Sequence, residues 1–69
     1  MWINDKKVKI ENLVAENGLI IKIENALNMK GLGDSTIFKC TFENGVILDI
    51  EVMPEEFKTI ASVISLGGF

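Results

Sequence analysis

The chain has 69 residues, a net charge of −3 and a hydrophobic fraction of 48%; all its positive side chains are Lys, and Arg, His, Tyr and Gln are absent. That length bounds it to a single domain, 1–69, near the size at which one core barely offsets chain entropy. With one Cys and no His, neither a disulfide nor a metal staple is expected, and self-association is the expected support.

The mild acidity also argues against nucleic-acid partners, which call for a basic surface and lean on Arg for base readout. No basic leader and no apolar run of membrane-spanning length is visible, so no membrane partner and a cytoplasmic location are expected. The Lys-, Asn- and Ile-rich usage without Arg is of the kind an AT-rich genome imprints, and the expected source is a low-GC bacterium or its phages.

In chain order, Met1-Trp2-Ile3, a turn-like Asn4-Asp5-Lys6 and the alternating Lys7-Val8-Lys9-Ile10 predict a short hairpin. Trp2 is either a lid on one end of the core or an exposed binding anchor. From Leu13 to Glu24 the pattern predicts a second hairpin turning at Glu16-Asn17-Gly18, with Ala15 opposite Leu19 and Leu13 opposite Ile21. Its phase is opposite to that of Val8 and Ile10, which calls for a bulge or a break in pairing at Glu11-Asn12. A shift of 27 positions aligns Leu13–Asn25 with Cys40–Val52 with six identical pairs, which reads equally as internal duplication or as convergence on one favourable turn.

The segment from Asn25 to Ser35 is the least regular. Lys30, Gly31, Gly33, Asp34, Ser35 and Thr36 could form an anion-contacting loop, with converging backbone N–H groups and hydroxyl donors, or simply a crossover between hairpins. It is neither a P-loop nor a dinucleotide fingerprint.

Ile37 to Val52 is the strongest signal. A two-residue Asn44-Gly45 loop would place Cys40 against Asp49 and Phe38 against Glu51. A three-residue Glu43-Asn44-Gly45 loop pairs Phe42 with Val46, Cys40 with Leu48 and Phe38 with Ile50, leaving one face wholly apolar. The second register is expected, with a Lys39–Asp49 ion pair and Thr41–Ile47 on the other face. That far face, holding Val14, Ile20, Ile37 and Ile47, is apolar enough to mark an interface, unless the sheet closes into a small barrel that hides it.

Pro54 stops the ladder and opens a helix, with Glu55 and Glu56 at its positive end. Phe57, Ile60, Ala61 and Ile64 form its apolar stripe, with Val63 widening it. Gly67-Gly68 ends the helix, and Phe69 is free to fold back or meet a neighbouring subunit. The expected class is therefore α+β: an antiparallel meander of about five strands, with two similar Glu-Asn-Gly hairpins and one C-terminal helix on the sheet.

No catalytic constellation emerges. Cys40 lacks a His and has apolar neighbours, so it reads as a core thiol, and the carboxylates have structural explanations. No cofactor and no metal are expected. The leading expectation is a small non-enzymatic, homo-oligomeric protein that binds another macromolecule through Trp2, Val14, Ile20, Ile37, Ile47 and Phe69, in the manner of a phage or mobile-element accessory protein that inhibits a host factor. The alternative is a sponge for a small, anionic, nucleotide-type ligand, held by the Lys30–Thr36 loop.

Overall fold

Gly45 has φ +89, the left-handed backbone that a three-residue hairpin loop requires and glycine adopts at little cost. Around it the central hairpin forms in the apolar-face register, in a computed structural model that describes residues 1–26 and 33–65. Phe38 faces Ile50, Cys40 faces Leu48, and the Phe42 amide donates to Val46 O at 2.9 Å. The strands are β1 (Trp2–Ile3), β2 (Lys6–Lys7), β3 (Ile20–Asn25), β4 (Thr36–Phe42) and β5 (Ile47–Val52), with helix α1 (Ile10–Asn17) between β2 and β3. A 3-10 turn, Pro54–Glu56, runs into helix α2 (Phe57–Ala61).

The fold is α+β, with a five-stranded antiparallel sheet in the order β2-β1-β5-β4-β3. Strands β3, β4 and β5 form a meander, but β1 then pairs with β5 and places the N-terminal hairpin at the far edge, so the order is not a meander throughout. The sheet is open among the described residues, in place of the alternative barrel. In the first hairpin Asn4 (φ 50) and Asp5 (φ 66) form the two-residue turn, both in the left-handed region that such a turn demands.

The second hairpin is corrected: residues 10–17 are helical, so at Glu11-Asn12 the strand pairing is broken and there is no bulge. Ile10, Leu13 and Val14 recur at i, i+3 and i+4 and turn toward the core, so burial rewards the helical period over the alternating one. Gly18 ends the helix with φ +86, its amide donating to Val14 O at 2.8 Å. Glu-Asn-Gly is thus a helix stop at one site and a hairpin loop at the other, and the two tripeptides dock on each other. Asn44 Nδ2 donates to Asn17 Oδ1 at 2.8 Å, the Glu43 amide to Leu19 O at 2.9 Å, and the Leu19 amide to Glu43 Oε1 at 2.7 Å. A Cβ on Gly18 would lie 2.8 Å from the Glu43 Cβ, so the close approach itself excludes a side chain there.

Ile20, Cys40, Phe42, Ile50 and Val52 are fully buried on one sheet face, where Ile10 of α1 and Ile60 of α2 join them. Helix α2 ends earlier than its stripe predicts. Beyond Ala61 the chain leaves the helix, and Ile64 bridges Ile20 in parallel, the Ser65 amide donating to Ile20 O at 2.7 Å and the Ile20 amide to Val63 O at 3.0 Å. This pairing satisfies the free edge of β3 at Ile20, and it suits the β-branched Val63 and Ile64 better than another helical turn. The expected stop at Gly67-Gly68 lies outside the described residues, as does Phe69.

Candidate interaction surface

Both helices pack on the core face, so the opposite face of the sheet carries no covering element among the described residues. Register fixes which side chains share it. Trp2 lies opposite Lys7 on one side and Glu51 on the other, and Glu51 lies opposite Ile37. Asp49 lies opposite Lys39, and Lys39 opposite Glu24. Thr41 sits between Ile47 and the bulged Ile21-Lys22 step. The uncovered face therefore has an aromatic end, a charged middle band and an aliphatic end.

The expected interface set is only partly on this face. Trp2 (39% exposed), Ile37 and Ile47 (53%) are there. Ile20 is corrected: it is fully buried, and the exposed residue is Ile21, at 48%. The bulge between Ile20 and Lys22 inserts one residue into β3 and shifts its phase, so Ile20 and Ile23 both turn to the core. Val14 is on α1, half-buried against the core, and not on the sheet.

The Lys39–Asp49 ion pair does not form, although the two residues are opposite. Lys39 is flanked by Glu24 as well as Asp49, in water, where no single pairing offsets the ordering of a long side chain. Lys22 and Glu24 pair instead at 2.8 Å, which holds the Glu24 carboxyl below its ordinary range.

Of the expected anion loop, Lys30 and Gly31 lie outside the described residues. Gly33 and Asp34 are exposed, the Ser35 hydroxyl donates to Glu51 Oε2 at 2.6 Å, and Thr36 opens β4 opposite Val52. Ser35 is thus committed to a carboxylate.

Two hollows open beside Trp2. One, of about 440 Å³, is lined by Trp2, Asp5, Gly33, Glu51 and Met53. The other, of about 220 Å³, is lined by Trp2, Asn4, Asp5, Ile37, Asp49 and Glu51. Sequence reasoning missed Asp49 and Met53 as neighbours of Trp2, because the pairing of β1 with β5 joins residues some fifty positions apart and leaves no local signal. These carboxylates do not converge into a group able to hold a metal ion, and no such group occurs among the described residues.

Cys40 is fully buried beneath the sheet, its thiol 3.8 Å from Phe38 O. Burial, and secondarily the Asp49 charge, pushes its pKa up to about 11, so the reactive thiolate is suppressed at neutral pH. No described helix is long and apolar enough to cross a membrane.

Fold and surface together define a small α+β domain with one sheet face clothed and the other without a covering element among the described residues. No family model, curated protein or solved structure matches the chain.

Proposed function

We propose that the chain is a non-catalytic interaction protein that binds another protein at the Trp2 end of its bare sheet face and associates with a second copy through the Ile21–Ile47 end. The carrying observation is that face itself: Trp2, Ile21 and Ile47 stay exposed on a sheet whose other side is packed by two helices. Exposed aromatic and aliphatic side chains grouped on one surface are the usual mark of a binding site, and Trp is the residue most enriched among interface anchors. The anionic-ligand alternative is weaker, because both hollows are walled by carboxylates and Ser35 already serves Glu51.

The test compares three variants by sedimentation and by cross-linked capture of partners, with circular dichroism as the check on folding. Ile47→Lys is expected to lose self-association, and Trp2→Ala to lose a partner that the unaltered protein retains. Ala15→Lys, on the exposed side of α1, is expected to change neither. Retention of both associations by Trp2→Ala and Ile47→Lys would overturn the reading.

A further inference from the structure

The two hollows beside Trp2 share three walls: the indole, Asp5 and Glu51. Asp49 adds a third carboxylate to the smaller hollow, while Met53 and Ile37 supply apolar flanks. The chain has seven Lys, yet none of them lines either hollow among the described residues. Asp5 and Asp49 have no hydrogen-bond or ion-pair partner there, and Asp5 is carried on a two-residue turn whose left-handed backbone fixes its position.

An indole beside the carboxylates of Asp5 and Asp49 attracts a cation twice over, through the negative face of the ring and through direct charge. Since the carboxylates do not gather as metal ligands do, an organic cation on a flexible apolar stem fits better than a bare ion. We propose that the Trp2 hollows receive a lysine or arginine side chain of the partner protein, its methylenes lying along Met53 or Ile37 and its charged head between Asp5 and Asp49. This rests on the outer-face reading above and names the chemistry that face selects.

Trp2 is the only Trp, so its emission reports the site directly. The full chain is titrated with an acetylated Lys-Gly repeat peptide, and separately with the matching Glu-Gly peptide. A saturable change in Trp2 emission, half-complete at or below about 1 mM, is expected for the lysine peptide alone. The Asp5→Asn, Asp49→Asn double variant, altered only at exposed positions, should weaken it by about tenfold or more, the effect of removing two charge-assisted contacts.

No saturable change, an equal response to the glutamate peptide, or an undiminished response in the double variant would each overturn the proposal. Partner capture separates this failure from that of the underlying reading. If the lysine peptide fails while Trp2→Ala still loses its partner, only the cationic assignment falls; if Trp2→Ala keeps its partner, the outer-face reading falls with it.

Discussion

Ile20 and Ile21 are identical and adjacent, and they have opposite fates: one is fully buried, the other 48% exposed. Ile20→Ala should therefore cost about 2–5 kcal/mol, the range for emptying an aliphatic side chain from a packed core, while Ile21→Ala, measured at a concentration where the protein is monomeric, should stay within about 0.5 kcal/mol. Chemical denaturation of the two variants measures the contrast, and equal costs would show that the bulge does not set the phase of β3. Strict alternation in the sequence puts these two residues the other way round, since the two phases of a continuous apolar run are equivalent until a bulge picks one. Cys40 was legible, because a thiol between Phe38 and Phe42 on the apolar face of a hairpin has nowhere to go but inward.

At the level of elements, the junction between β5 and α2 is tied by Glu56. Its carboxylate accepts the Met1 ammonium at 2.8 Å and the Met53 amide at 2.9 Å. The ammonium first, then the amide, lowers its pKa below the ordinary 4.5. A carboxyl with a depressed folded-state pKa contributes stability that is present above its unfolded value and lost as pH falls through the folded one. The thermal midpoint should therefore fall as pH drops below about 4.5, and Glu56→Gln should remove part of that slope and lower the midpoint at neutral pH. A variant with the same acid-side slope as the unaltered protein would exclude Glu56 as the source.

The two Glu-Asn-Gly tripeptides carry the other lesson about elements. A glycine at positive φ ends a helix as readily as it closes a hairpin, so the local code is ambiguous at both places. What resolves it is the company each tripeptide keeps. β4 and β5 flank one with matched alternation, whereas Ile10, Leu13 and Val14 precede the other with a helical stripe.

For the molecule as a whole, one consequence of the proposed self-association is a stability that depends on concentration. Association that favours the folded state raises the melting midpoint by mass action. The unaltered protein should melt higher as its concentration is raised, and Ile47→Lys should not; a midpoint independent of concentration in both would remove the second copy from the account.

By itself the sequence determined the α+β class, the register of the central hairpin, the presence of an N-terminal hairpin, though not its bounds, since Lys6 pairs with Ile3 and Ile10 belongs to α1, and the start of a helix at Pro54. Each is set by contacts between near neighbours, through a turn residue or a short alternating run. Only the tertiary structure decided that residues 10–17 are helical, that Ile20 points inward, that the helix gives way before Ile64, and that Trp2 stands beside Asp49, Glu51 and Met53. Each of those depends on what a distant segment offers. The core rewards one face of α1, Ile64 takes the edge of β3 at Ile20, and β1 docks on β5, and no local pattern encodes a partner so far along the chain.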